Sequence, residues 1–114
     1  MNTMPMEVKT DLGELLKEVA TSIKTVYPSS TVILFGSYAR GEQNDNSDLD
    51  ICVLVPEISP RRFDMELNAA CSIRRGFPLP LDLLLYTYDE FEKYSESKSR
   101  IQYKIKNEGV ILDA

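Results

Sequence analysis

The feature that most constrains the fold is a pair of short apolar segments joined by a polar loop. The first, residues 31–35 (TVILF), is rich in β-branched and aromatic residues and predicts a buried strand. It runs directly into Gly36-Ser37, and after ten intervening residues Asp48-Leu49-Asp50 opens a second apolar segment ending at Val55. The latter half of that second strand is apolar on both faces, which indicates a central place in a sheet that is covered above and below.

The surrounding pattern predicts helices and one or two further strands. We expect a first helix over about residues 6–26 that ends before Pro28, and a loop over 36–47 that is irregular and exposed, with a helical turn possible at 38–41. A second helix is expected over 59–75, a third strand over 81–86, a last helix from Asp89 to about 107, and a possible edge strand over 110–112. The core face of the second of these helices is predicted to carry Phe63, Leu67, Ala70 and Cys71.

This order predicts a small mixed β-sheet flanked by helices, in the α/β or α+β class. The 114 residues have the size of one domain, so residues 1–114 are interpreted as a single unit.

Acidic residues mark the start of the second strand. Asp48 and Asp50 are two residues apart, so their side chains should project from the same face of the strand. Such close like charges raise each other's pKa unless a cation lies between them, and oxygen ligands suit Mg²⁺ or Mn²⁺. Asp82 stands among leucines in the third strand, where a carboxylate is costly to bury without a cation or hydrogen bonds. Near a metal ion it could act as a general base toward an attacking hydroxyl.

The turn after the first strand has the composition of a phosphate site. Gly36 lets the backbone approach a phosphate closely, the Ser37 hydroxyl and exposed N–H groups can donate to it, and Arg40 could clamp its oxygens. Ordinary structural roles are the alternatives. Gly-Ser and Asp-x-Asp can be polar turn residues, Asp82 can accept hydrogen bonds from backbone amides, and Arg40 can be a solvated charge.

The composition limits the other possibilities. The chain has no histidine, which excludes Ser-His-Asp and Cys-His nucleophilic sites and histidine-bound zinc. Its net charge of -5 disfavours indiscriminate binding to nucleic acid. No apolar run is long enough to span a membrane, and the first residues lack the layout of a secretory signal. Cys52 and Cys71 are expected to be small core residues in a reducing cytoplasm.

The combination of a strand, Gly36-Ser37, ten residues, Asp48-x-Asp50 and a later strand Asp resembles the DNA polymerase beta nucleotidyltransferase superfamily. Within it, the run ILFGSYARGEQNDNSDLDICVLV is similar to the minimal nucleotidyltransferases (MNT), which include the antitoxins of MNT–HEPN toxin–antitoxin pairs. The resemblance covers nearly the whole chain. It implies the mixed-sheet nucleotidyltransferase fold, two Mg²⁺ ions held by Asp48, Asp50 and Asp82, ATP as the donor, and triphosphate binding by Gly36 and Ser37.

The resemblance also implies a partner. A chain of this size has no separate domain to hold an acceptor, so a partner protein is expected to bring the acceptor in a hetero-oligomer, and a hydroxyl of a HEPN RNase toxin fits this role. The hypothesis is an Mg²⁺-dependent, cytoplasmic enzyme that transfers AMP to this toxin and neutralises it. Two alternatives stay open: a non-catalytic antitoxin that occludes the toxin, with Tyr94 or Tyr103 as contacts, and a small-molecule nucleotidyltransferase completed by a partner chain.

Overall fold

The computed structural model describes residues 11–114. Within them the chain forms five helices and four strands, which we number in chain order. The helices are α1 (Leu12–Val26), α2 (Gly36–Arg40), α3 (Arg62–Cys71), α4 (Tyr88–Tyr94) and α5 (Ile101–Glu108), and the strands are β1 (Thr31–Phe35), β2 (Leu49–Val55), β3 (Leu81–Thr87) and β4 (Val110–Asp113). No helix in this part of the chain has the length and apolar character needed to cross a bilayer.

The four strands form one mixed sheet in the order β3-β2-β1-β4. β1 is antiparallel to both β2 and β4, whereas β2 and β3 are parallel. The connection from β2 to β3 contains α3, as a parallel crossover requires. The prediction of a small mixed sheet flanked by helices is therefore confirmed, and β2 occupies the central position that its apolar sequence indicated.

Alternate residues of β2 point into two separate cores. Ile51 and Val53 face a core to which α1 and α3 contribute, whereas Cys52 and Leu54 face a smaller core covered by α4 and α5. All seven β2 residues except Asp50 are buried. We call the two sides of the sheet the α1/α3 face and the α4/α5 face. Because the side-chain period is two, Asp50 must lie on the α4/α5 face with Cys52.

In the described residues the first helix begins at Leu12. Asp11 is its N-cap and accepts a hydrogen bond from the backbone N–H of Gly13 at 3.3 Å, and the helix ends at Val26, two residues before Pro28. Residues 6–10 of the predicted helix lie outside the described residues.

The prediction for α3 was wrong in its length and in its buried face. The helix covers Arg62–Cys71 rather than 59–75, and it buries Met65 and Ala69. Phe63 and Leu67 lie on the opposite side and are 66% and 51% exposed. Cys71 is also exposed, whereas Cys52 is buried as expected. The error has a simple cause, since two apolar stripes share this helix and the sequence alone does not say which of them meets the sheet.

The predicted helix 89–107 is instead two helices, α4 and α5. Thr87, not Asp89, is the N-cap of α4, in a capping box with Glu90 whose two hydrogen bonds measure 3.0 and 2.9 Å. Three serines, at positions 95, 97 and 99, occupy the segment between the helices. Their hydroxyls bond locally, to a backbone carbonyl or to one another, and this competes with helical hydrogen bonds.

Strand β3 lies at an open edge of the sheet, and a side chain from α3 covers part of that edge. The Glu66 carboxylate accepts the backbone N–H of Leu85 at 3.2 Å. This hydrogen bond satisfies an edge N–H for which residues 11–114 provide no neighbouring strand.

Candidate active site

Strand register brings two of the predicted acids together. Asp50 in β2 is the register partner of Asp82 in β3, and on its other side it pairs with Phe35 of β1. Because β2 and β3 are parallel and in register, both carboxylates project from the α4/α5 face at the same end of the sheet. The sequence predicted that a later strand would supply a third acid, and the register shows why Asp82 occupies that position.

The charge environment of Asp50 shows that Asp48 belongs to the same cluster. The pKa of Asp50 is raised, first by its burial, next by the charge of Asp82 and then by that of Asp48. Asp48 lies one residue before β2 begins, not within the strand as predicted, and its side chain is exposed. Three acids from two adjacent segments therefore lie at the same end of the sheet, and the charges of Asp82 and Asp48 disfavour the ionised form of Asp50.

The donor set fits a divalent cation, although the side chains do not form a closed cage. Among residues 11–114, no three Asp, Glu, Cys or His side chains converge closely enough, as they stand, to hold an ion. However, Asp48 and Asp82 are exposed, so their carboxylates have room to rotate toward Asp50. A cation between these oxygens would remove the repulsion that raises the pKa of Asp50, and an oxygen-only set suits Mg²⁺. The residues present therefore fit an Mg²⁺ ion in charge and in ligand type.

Gly36 lies directly against Asp50. Its φ of +76° is in the left-handed region, which favours glycine. A Cβ at this position would overlap the Asp50 carboxylate. It would lie 2.9 Å from Asp50 Cγ and 3.2 Å from Asp50 Cβ. Only glycine allows the turn after β1 to approach the acid this closely, so the Gly36-Ser37 turn and the acidic cluster are contiguous.

The segment that follows Gly36 is helical rather than irregular. Residues Gly36–Arg40 form the short helix α2, which ends at Gly41 in the left-handed conformation. The expected loop therefore begins only after this helix, and the suggested turn at 38–41 lies one to two residues too late. Ser37 lies in the first turn of α2, where backbone N–H groups have no acceptor within the helix.

Arg40 reaches two glutamates that the sequence analysis did not single out. Its Nε donates to Glu42 Oε1 and its Nη1 donates to Glu108 Oε1, both at 2.9 Å. These two hydrogen bonds, the one to Glu42 above all, raise the pKa of Arg40. The guanidinium also lowers the pKa of Asp50, but the effects of burial and of the other two acids outweigh it. Arg40 is therefore a partnered residue beside the acidic cluster and not a solvated loop charge.

The role of Glu108 had no signal in the sequence. It ends α5, 68 residues beyond Arg40, and it approaches the site because α5 packs near α2 on the α4/α5 face. Glu42, by contrast, is only two residues from Arg40, so the proximity of an opposite charge could have suggested this pair.

The comparisons with known proteins agree with this geometry. Residues 16–113 match the family model described as a nucleotidyltransferase domain. A protein of Methanocaldococcus jannaschii named "putative protein adenylyltransferase" is 33% identical over 79 residues, 69% of this chain and 79% of that protein. A second protein of the same name and organism is 35% identical over 77 residues, covering 66% of this chain and 75% of its own length.

Two solved structures share the fold. A "putative nucleotidyltransferase" from Sulfolobus solfataricus superposes with a TM-score of 0.59 at 25% identity, covering 87% of this chain and 77% of that one. A chain of a structure described as a toxin-antitoxin with AMP-PNP superposes with a TM-score of 0.58 at 21% identity, covering 85% and 71%. The family model spans most of the chain, including the Gly36 turn and all three acids, so this chain belongs to the nucleotidyltransferase domain family and is a nucleotidyltransferase.

Proposed function

We propose that this protein is an Mg²⁺-dependent adenylyltransferase that transfers AMP from ATP to a hydroxyl of a partner protein. The observation that carries the proposal is the register of Asp50 with Asp82 beside the glycine turn. The names of the relatives support a protein acceptor, and the structural neighbour with AMP-PNP supports a nucleotide donor. We further propose that the partner is a HEPN-type RNase toxin, that the two form a hetero-oligomer in the cytoplasm, and that modification neutralises the toxin.

The order of the strands in the sheet supports this proposal, because it spaces the proposed phosphate-binding and proton-accepting residues along one edge direction. Gly36 and Ser37 follow β1, Asp50 lies in β2, and Asp82 lies in β3 at the edge of the sheet. In an in-line displacement the entering and leaving oxygens lie on opposite sides of the phosphorus. With the leaving pyrophosphate held at the β1 side, the acceptor hydroxyl therefore enters from the β3 side, where residues 11–114 place no further strand.

Each group then has a defined task. Gly36 and Ser37 bind the β- and γ-phosphates. Arg40 gives up its hydrogen bond to Glu42 or Glu108 and donates to the phosphate oxygens instead. Asp82 accepts the proton of the acceptor hydroxyl, whose oxygen bonds to the α-phosphorus as the bond to the β-phosphate oxygen breaks. When bound between Asp48, Asp50 and Asp82, two Mg²⁺ ions would neutralise the carboxylates and phosphates and lower the pKa of that hydroxyl.

An intact-mass assay tests this proposal. The protein is incubated with ATP, Mg²⁺ and the product of its neighbouring gene, and the mass of that partner is measured. We expect a gain of one or more AMP units that is lost in Asp50→Asn and in Asp48→Asn. Asp45→Asn is the matched control, since Asp45 is an exposed acid of the same loop, and it should retain transfer. Transfer that persists in Asp50→Asn would refute the metal-dependent mechanism.

The same assay separates the two alternatives. An occluding antitoxin would leave the partner unmodified while Asp50→Asn still binds and inhibits it. A small-molecule enzyme would consume ATP without any mass gain on the partner. A HEPN partner would be an all-helical protein with an Arg-x4-6-His motif, so the sequence of the neighbouring gene product checks that part of the proposal directly.

A further inference from the structure

The basic residues of this acidic chain are concentrated in one segment. Residues 93–106 contain five Lys or Arg and one Glu, a net charge of +4 in a chain whose total is -5. The segment comprises the end of α4, the serine-rich connection and most of α5. Nothing in the mechanism above uses these charges.

Three of the basic side chains line an open groove. Lys98, Arg100 and Lys104 border a depression of about 550 Å³ along α5, together with Ser99, Tyr103 and Asn107. We call it the basic groove. Among residues 11–114, none of the three has a carboxylate oxygen within 4 Å. By the same measure Arg40, Arg61, Arg62 and Arg74 are paired, whereas among the arginines of residues 11–114 only Arg75 and Arg100 are not.

One residue of the groove is fixed in place by an aromatic ring. The Arg100 guanidinium lies over the Tyr94 ring, 4.4 Å from its centre. Such a cation–π contact orients the guanidinium without neutralising its charge. The groove therefore presents at least one preordered cation that a carboxylate could engage in a bidentate manner.

The groove leads to the active site. Its far end is Glu108, which accepts a hydrogen bond from Arg40 at 2.9 Å. Both α5 and the acidic cluster lie on the α4/α5 face of the sheet. A ligand lying along the groove would therefore arrive beside α2 and the catalytic acids, without crossing to the other face.

We propose that the basic groove binds a carboxylate-rich segment of the acceptor protein and thereby delivers its hydroxyl to the site; this inference rests on the proposed function. The charge complementarity favours an anionic ligand. A protein segment fits better than a nucleic acid because the groove ends at the acidic Glu108, and the candidate site beyond it carries Asp48, Asp50 and Asp82. A polynucleotide carries a phosphate at every nucleotide and would be repelled there, whereas a peptide can place its acids at the groove alone.

Fluorescence anisotropy with a fluorescein-labelled decaglutamate peptide tests the groove. Each exposed charge pair contributes little to the binding free energy, but three pairs together should contribute measurably at low salt. The triple variant Lys98→Gln, Arg100→Gln, Lys104→Gln should therefore bind the peptide about tenfold more weakly than the wild type. The matched control is Lys17→Gln, Arg61→Gln, Arg75→Gln, which removes three exposed cations elsewhere. The control should bind within about twofold of the wild type, since only general charge attraction is lost.

Two further measurements keep this inference separate from the proposed function. Binding of ATP with Mg²⁺ should be unchanged in the groove variant, because the groove is not assigned to the donor. With a modified partner in hand, the groove variant should raise KM for that partner and leave kcat unchanged. Equal peptide affinity in the two triple variants, or tighter binding of a labelled deca-adenylate RNA than of the peptide, would overturn the inference while the adenylyltransferase proposal stands. Failure of the wild type to bind ATP at all would instead refute that proposal.

Discussion

Replacing Gly36 by Ala tests the contact that joins the Gly36-Ser37 turn to the acidic cluster. The substitution carries two separate penalties. Alanine is strained at a φ of +76°, and its Cβ would overlap the Asp50 carboxylate. Gly41 provides a matched control, because its φ is +72° and an added Cβ there would meet no other part of residues 11–114 within 4 Å. The difference between the two variants therefore isolates the contact with Asp50.

The expected magnitudes follow from these two penalties. A left-handed conformation costs a non-glycine residue about 1–2 kcal/mol, so Gly41→Ala should lower the free energy of unfolding by about that amount. Gly36→Ala should lose a further 1–3 kcal/mol or so, which is the usual cost of forcing an extra carbon into an occupied space. For a chain of 114 residues, each additional kcal/mol should lower Tm by about 4 °C.

Urea denaturation and AMP transfer measure the two consequences. Gly36→Ala should be the less stable variant and should lose transfer, because Asp50 must move away from its partner acids to make room. Gly41→Ala should keep most of its activity, since no site residue has to move. Equal losses of stability in the two variants would show that the close approach of Gly36 to Asp50 carries no energetic weight.

A double variant tests whether the Asp50 carboxylate causes the extra loss of stability in Gly36→Ala. In an Asp50→Ala background the overlapping carboxyl group is gone, although the Asp50 Cβ at 3.2 Å from the added methyl position remains. Most of the extra cost of Gly36→Ala over Gly41→Ala should therefore disappear. If the extra cost persists unchanged, the penalty originates somewhere other than the Asp50 carboxylate.

Four further predictions concern the two cysteines, a helix cap and the candidate metal site. In the folded protein a thiol reagent should label the exposed Cys71 but not the buried Cys52. Burial raises the pKa of Cys52 from 9.0 to about 12. Because the thiol ionises more readily in the unfolded chain, the free energy of unfolding should fall as pH rises from about 9 to about 12. Cys52→Ala should remove this part of the pH dependence. Thr87→Ala should cost about 1 kcal/mol, measured by urea denaturation, through loss of the N-cap, whereas Asp89→Ala should cost less. Mg²⁺ should raise the Tm of the wild type but not that of Asp50→Asn; an equal rise in both would place the ion elsewhere.

The sequence predicted the parts of the fold that depend on local pattern. Strands β1 and β2 were recognised because they are short apolar runs bounded by turn residues, and the spacing of Gly36-Ser37 and Asp48-x-Asp50 indicated the candidate site. The pairing of Asp50 with Asp82 was expected only in outline. It depends on the register of two strands separated by α3, and register is fixed by packing across the sheet rather than by local sequence.

The errors came from tertiary contacts that the sequence does not encode locally. The buried side of α3 could not be chosen because Phe63 and Leu67 form as plausible an apolar stripe as Met65 and Ala69. The break between α4 and α5 was hidden because apolar residues continue at helical spacing across the serines. Arg40 was expected to be free for phosphate, and its bond to Glu108 depends on how α5 packs beside α2.

The bond from Glu66 to the edge of β3 has a consequence for how copies of this protein meet. An open edge strand exposes backbone groups that can pair with the edge of another molecule and start aggregation. Here Glu66 occupies one of those groups and adds a negative charge, and Asp82 places another charge at the start of the same strand. Two copies brought together along this edge would place these negative charges close to one another, and the charges would repel. The acid proposed to take the acceptor's proton thus also helps to keep the open side of the sheet from joining another sheet.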